Sequence, residues 1–377
     1  MSLIYLTNYV SLISYVPCMS LTTALESKEK SISTYKPSLT REDLKGVLES
    51  LANDQISSGE MAAKLEKVFS GTFQFKSSVS TNSLFGAYHL ALVALDLEPG
   101  DKVVVPNIAP SSFIDAVYLV GATPIPVDLA KRSFHYDLEQ LSEMIAKENP
   151  KLVFLNHPFG SSFTKSADAF AGVPVLEDIS DVLGNTNAPG KYGKLVVTGL
   201  TTNSTITMGN GAILSSNDTA LMTKVRECKF GFGKRQSRKF KLDYNLIDFQ
   251  AALGLEQLSK LGVLLERKKK IAELYLQSLV GSTSVETYFN GLEEDSFSQF
   301  VVLIPGKTYD EAQRYFASLQ ISTKRPIDEP LHSILELDPK EFPNSERLWN
   351  RGHQIPLYPN LTSDNVKRII QAIRRIY

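Results

Sequence analysis

Two hydrophobic periods alternate along this chain. Residues 99–129 (PGDKVVVPNIAPSSFIDAVYLVGATPIPVDL) read as strand, loop, helix and strand. Further apolar runs at 152–155 and 173–176 read as strands. Residues 75–95 (FKSSVSTNSLFGAYHLALVAL) read as a strand, a polar turn capped by Asn82 or Ser83, and a helix. Upstream, residues 35–51 predict a helix with Thr40 as N-cap and Leu44, Val47, Leu48 and Leu51 at helical spacing. A turn and second helix follow over 55–71. Downstream, residues 219–279 read as helix, basic loop and long helix, and 299–304 as a strand opening a smaller unit. Strands alternating with helices predict an α/β fold with a mostly parallel, doubly wound sheet.

The organising stretch is 195–218, LVVTGLTTNSTITMGNGAILSSND. It predicts a β run, a polar turn and a Gly-x-Gly hairpin returning into a second β run. It follows VPVLED (173–178), so Asp178 and Ser204 are expected near the carboxyl ends of parallel strands, where such sheets bind ligands.

The 377 residues suffice for one large domain and a smaller one. We expect an extension over 1–30, a large domain over 31–265 and a small C-terminal α+β domain over 266–377. The chain is 43% hydrophobic and 21% charged, which excludes wholesale disorder. A net charge of −1 creates no global field for nucleic acid or an anionic membrane. Cys18 and Cys228 make neither a disulfide framework nor a metal cluster, so no metal is expected and the reading is cytoplasmic. Residues 1–25 are uncharged, which lacks the basic flank of a signal peptide. Polar residues interrupt them too often for a membrane span. A disordered extension, or a start at Met19, is the expectation.

The helix start after the strand at 75–80 is a candidate anion site, because free N–H groups and the helix dipole point outward there. The alternative is an ordinary capped helix. Lys234, Arg235, Arg238, Lys239 and Lys241 put five cations in eight residues of the basic loop. They read either as a solvated loop or as a pyrophosphate site. Lys268, Lys269 and Lys270 read as a solvated helix face.

The ordered series PGD (99–101), Glu177-Asp178, Gly209-Asn210-Gly211, QAALGLEQLSKL (250–261) and PLYPNLT (356–362) resembles the DegT/DnrJ/StrS family over about residues 31–377. That family consists of pyridoxal-phosphate aminotransferases acting mostly on nucleotide-linked keto sugars. The resemblance implies an aminotransferase type I-like large domain, pyridoxal phosphate as cofactor and a subunit interface at the active site. It also implies roles. Asp178 would pair with the pyridine nitrogen, Asp181 would lie by the cofactor, and Ser83, Leu84 and Phe85 would hold the phosphate. The family lysine falls on Ser204, and a hydroxyl cannot react with the cofactor aldehyde as an amine does. A phosphate-binding threonine falls on Phe85, a serine on Gly199 and the ring-stacking aromatic on Pro110.

Four departures together imply a member that does not transaminate. It would bind a nucleotide sugar through Lys234, Arg235 and Arg238, or serve as a partner subunit, in surface-polysaccharide synthesis. The cofactor would be non-covalent or absent, and the assembly a homodimer or a heterodimer with an intact homologue. Two alternatives stay open: an aminotransferase or dehydratase working without a covalent lysine, and a structural subunit.

Overall fold

In the computed structural model, residues 31–53, 57–185, 190–231 and 241–376 are described. Helix α1 (Arg41–Ala52) and helix α2 (Glu60–Phe73) precede the sheet. The large unit then runs β1 (Ser77–Thr81), α3 (Leu84–Ala94), β2 (Lys102–Pro106), α4 (Ser111–Leu119), β3 (Thr123–Val127) and α5 (Leu138–Glu148). It continues with β4 (Leu152–Asn156), β5 (Val175–Asp178), β6 (Leu195–Gly199), β7 (Ala212–Ser216), α6 (Thr219–Phe230) and α7 (Asp248–Ser259). The sheet has seven strands in the order β1-β7-β6-β5-β4-β2-β3. Only β7 runs against its neighbours, pairing antiparallel with β1 and β6. The expected α/β fold with a mostly parallel sheet is therefore present.

Burial explains the composition of the elements. Strands β4 (LVFLN) and β6 (LVVTG) are apolar along their length because helices cover both faces. Helix α3 buries eight of its eleven residues, so it is apolar nearly all round. Its core neighbours include Phe113 and Phe154, whose rings stack at 3.8 Å.

Polar residues of α7 hold the turns around the site. The Asp248 carboxylate accepts from the N–H groups of Gly59 (2.8 Å), Met61 (3.2 Å) and Ala62 (3.1 Å), capping α2 from another helix. Gln250 Nε2 donates to the Asn210 carbonyl at 3.2 Å, and Gln257 Oε1 accepts from Thr207 N–H at 3.3 Å. Both fix the turn before β7. Gly209 and Gly211 in that turn have φ of 82° and 144°, which explains glycine at both positions.

Helix α8 (Leu261–Leu279) joins two cores: Leu261 and Leu264 pack under the large sheet, whereas Ile271, Ala272 and Tyr275 pack in the smaller unit. The boundary drawn at 265/266 falls inside this helix. The smaller unit comprises β8 (Phe300–Leu303), α9 (Tyr309–Ser318), α11 (Pro343–Arg351), β9 (Gly352–Ile355) and α12 (Ser363–Arg375), with β8 and β9 antiparallel, whereas the intervening α10 (Leu331–Ile334) packs Leu331 into the core of the large sheet.

One expectation is corrected. Lys268 is not on a solvated face. It is 1% exposed, while Lys269 and Lys270 are exposed as expected. Helix α1 forms where predicted, with Thr40 as its N-cap. It buries Asp43, which accepts from Gln257 Nε2 at 2.9 Å and pairs with Lys260 at 3.0 Å, and leaves Leu44, Leu48 and Leu51 exposed.

Candidate active site

Asp178 ends β5, and Gly199 ends the neighbouring β6. The Asp178 carboxylate is buried with three donors: Tyr88 O–H to Oδ2, Ser180 N–H to Oδ1 at 2.8 Å, and Ser180 O–H to Oδ1. Burial raises its pKa against the lowering effect of these hydrogen bonds. Burial and the Asp178 charge push the Tyr88 phenol well above its ordinary value.

Gly199 is the centre of the local network. Its N–H donates to Ser180 Oγ at 2.7 Å, and its carbonyl accepts from Ser204 Oγ at 3.1 Å. A Cβ at this position would lie 3.2 Å from both Leu84 methyls. Ser204 is buried and turned back onto its own loop, accepting from Thr201 N–H at 3.1 Å. Its carbonyl accepts from Tyr35 O–H at 3.1 Å. The turn 201–207 contains no lysine.

The start of α3 is an ordinary cap. Ser83 Oγ accepts from Gly86 N–H at 3.0 Å. Leu84 and Phe85 are half-buried against the core. A Cβ at Gly86 would come within 2.9 Å of the Tyr244 ring, so that ring closes over the first turn.

Asp181 sits apart from this cluster. Its Oδ2 accepts from Phe159 N–H at 3.0 Å, and burial, then the Asp178 charge, raise its pKa. Phe159 holds φ of 62°, which orients that N–H. Lys268 Nζ donates to Thr205 Oγ1 at 3.1 Å and to the Ser298 carbonyl. Burial lowers its pKa to about 8, with Asp181 opposing the fall.

A cleft of about 270 Å³ opens over the strand ends, lined by Pro110, Asn156, Asp181, Asn203, Gln299 and Arg325 among others. The Arg325 guanidinium lies 4.0 Å from the Tyr309 ring centroid and 4.6 Å from that of Trp349. Asp178, Leu84 and Ser204 do not line this cleft. The sequence-predicted residues thus divide. Asp178, Leu84 and Ser204 gather around Gly199, Ser83 caps α3 ahead of Leu84 and Phe85, and Asp181 and Pro110 line the cleft. Lys234, Arg235 and Arg238 lie outside the described residues. Sequence reasoning missed Tyr88, Phe159, Lys268 and Arg325 as members of the site. Among the described residues no His, Cys, Asp and Glu group suits a metal ion, and no helix is long and apolar enough to cross a membrane.

Residues 37–374 match the DegT/DnrJ/EryC1/StrS aminotransferase family, and the chain belongs to it. The GDP-perosamine synthase of Escherichia coli O157:H7 is 27% identical, covering 92% of this chain and 99% of the relative. The GDP-perosamine synthase of Caulobacter vibrioides is also 27% identical, covering 92% and 98%. The spore coat polysaccharide biosynthesis protein SpsC of Bacillus subtilis is 24% identical, covering 90% and 95%. Among solved structures, a sugar aminotransferase of Streptococcus pneumoniae in its PLP form superposes with a TM-score of 0.81 at 21% identity, covering 91% of this chain and 97% of the other. GDP-4-keto-6-deoxymannose-3-dehydratase with bound GDP-perosamine gives 0.78 at 18% identity, covering 91% and 100%. The fold is that of the pyridoxal-phosphate aminotransferases.

The residues around Gly199 do not fit that cofactor. Leucine methyls fill the space beside the α3 start, the acid already accepts from three of the chain's own donors, and the hydroxyl at Ser204 is used within its turn. A proline at 110 offers no aromatic face to a ring.

Proposed function

We propose that this chain is a nucleotide-sugar-binding member of its family that does not transaminate, acting as a binding or partner subunit in polysaccharide or sugar biosynthesis. One observation carries the reading: the cleft over the strand ends keeps its polar lining while Asp178 and Ser204 are turned inward and outside it. Asn156, Asn203 and Gln299 offer amides for sugar hydroxyls. Stacking between two rings holds the Arg325 guanidinium, which suits an anionic phosphate group. The volume of about 270 Å³ lies at the small end for ligand pockets, so the sugar would enter and the nucleotide extend outside. The perosamine synthases among its relatives support a GDP-linked sugar. The cations Lys234, Arg235 and Arg238 belong to this proposal on the sequence alone.

Calorimetry with GDP-linked hexoses and other nucleotide diphosphate sugars tests it. Saturable, salt-sensitive binding is expected. Arg325→Ala should weaken it by ~1–3 kcal/mol, the range for hydrogen bonds to charged groups, and so should the pair Arg235→Ala and Arg238→Ala. No amino transfer from glutamate is expected. Absence of binding across the panel sinks the reading.

A further inference from the structure

We propose that this protein has closed its own cofactor position: Leu84 occupies the phosphate place and Tyr88 the pyridine-nitrogen place, so the fold is complete without pyridoxal phosphate. The proposal deepens the non-transaminating reading and takes from family membership only where phosphate and ring would lie.

At the phosphate end, a helix start binds an anion when its N–H groups face open, small-residue space. Here both Leu84 methyls lie over Gly199, at 3.2 Å from where its Cβ would be. Tyr244 covers the same turn at Gly86. A phosphate placed there would exchange water for hydrocarbon, which is strongly unfavourable for a charged group.

At the ring end, the cofactor nitrogen needs a carboxylate able to accept its proton-bearing N–H. Tyr88 already donates to Asp178 Oδ2, and Ser180 donates twice to Oδ1. Tyr88 is fully buried, edge-on to Phe113 at 5.2 Å and to Phe154 at 5.8 Å, so it cannot swing aside without disturbing the core. Its hydroxyl gives the acid the donor that the ring nitrogen would otherwise give.

The substitutions also compensate one another. A leucine at 84 favours glycine at 199, where any Cβ would crowd its methyls, and that glycine is present. Simple loss of a ligand would leave an unpaired buried acid, which destabilises. Here Tyr88 and Ser180 donate to Asp178 and Leu84 packs over Gly199, while the cleft beside Pro110 and Asp181 stays open.

The full chain should be titrated with pyridoxal phosphate and, to exclude reaction with surface lysines, pyridoxamine phosphate. Thermal unfolding and equilibrium dialysis give the readout. We expect neither compound to raise the wild-type Tm or to bind at one per chain; a saturable shift or such stoichiometry with pyridoxamine phosphate overturns the proposal. The pair Leu84→Gly and Tyr88→Leu removes both plugs, and should bind pyridoxamine phosphate at least ~10-fold tighter than wild type, or 1.4 kcal/mol. A cooperatively folded double variant that binds no better also overturns it. If that variant fails to fold, the milder pair Leu84→Ala and Tyr88→Phe, which shortens one side chain and removes only the hydroxyl of the other, is judged by the same criterion. Nucleotide-sugar binding is measured separately, so its failure leaves this result intact.

Discussion

Leu84 and Gly199 form a matched pair across the gap between the start of α3 and the end of β6. A side chain at 199 would begin 3.2 Å from each leucine methyl and 3.0 Å from Ser180 Oγ, tighter than ordinary packing. The serine that the family resemblance places at 199 would require Leu84 or Ser180 to shift by a few tenths of an ångström.

Stability measurements can read this pairing directly. Gly199→Ser alone should destabilise by ~1–3 kcal/mol, the usual cost of overpacking. In a Leu84→Ala background the same change should cost less, giving a coupling of ~0.5–3 kcal/mol as expected for residues in contact. Urea unfolding of the four proteins gives the number. Additive effects would mean that the two positions do not share space.

Lys268 ties three segments together beneath the cleft: the turn at Thr205, the Ser298 carbonyl and the acid at Asp181. Lys268→Met should lower stability by ~1–3 kcal/mol, because a buried carbonyl loses its donor and the nearby acid its counter-charge. Adding Asp181→Asn should recover part of the loss. An unchanged urea midpoint for Lys268→Met would contradict this account.

Much of the fold was legible because burial imposes periodicity. Apolar runs at β4 and β6 and the Ser83 cap all appear where the pattern puts them. The acid at the end of β5 and the glycine hairpin were legible for the same reason. The rest depended on contacts distant in sequence. Tyr88 meets Asp178 across ninety positions, and nothing local in α3 marks that tyrosine as polar-facing. Lys268 sits in a run of three lysines, yet α8 crosses from one core to another at that point and draws only this one inside. The inward face of α1 could not be read from its leucine spacing, because Asp43 is held inside by the buried Gln257 and by Lys260, both distant in sequence.

Two buried imidazoles set the expected acid response. Burial lowers the pKa of His135 to about 3 and that of His353 to about 4, the latter assisted by the Arg325 charge. The unfolded chain takes up protons at these histidines near pH 6.5, whereas the folded chain does not until far lower. The unfolded state therefore binds more protons across this window, and stability falls as pH drops from about 6.5 towards 4. Their contribution is complete above that window. Urea midpoints across the range should fall less steeply for His353→Phe, which keeps a flat ring against Tyr309. Identical slopes in the two proteins would remove His353 from the explanation.

Assembly is the last expectation, and α1 provides its strongest physical support. Leu44 and Leu48 are 56% and 64% exposed, and Leu39 and Leu51 extend the same apolar surface to 48% and 42%. Four leucines on one short segment are more than a scatter of surface apolar residues, and such patches mark contact sites. The helix is anchored through Asp43, Lys260 and Gln257, so the stripe is presented on a fixed support. We propose a second copy of this chain, or an intact homologue, as the occupant. Sedimentation at micromolar concentration should give twice the chain mass of 41.8 kDa. Leu44→Glu with Leu48→Glu should shift the mass towards a single chain while leaving the anchoring contacts of α1 in place. A wild-type mass of one chain that an intact homologue does not raise would remove this surface as an interface, and so would a double variant that assembles like wild type.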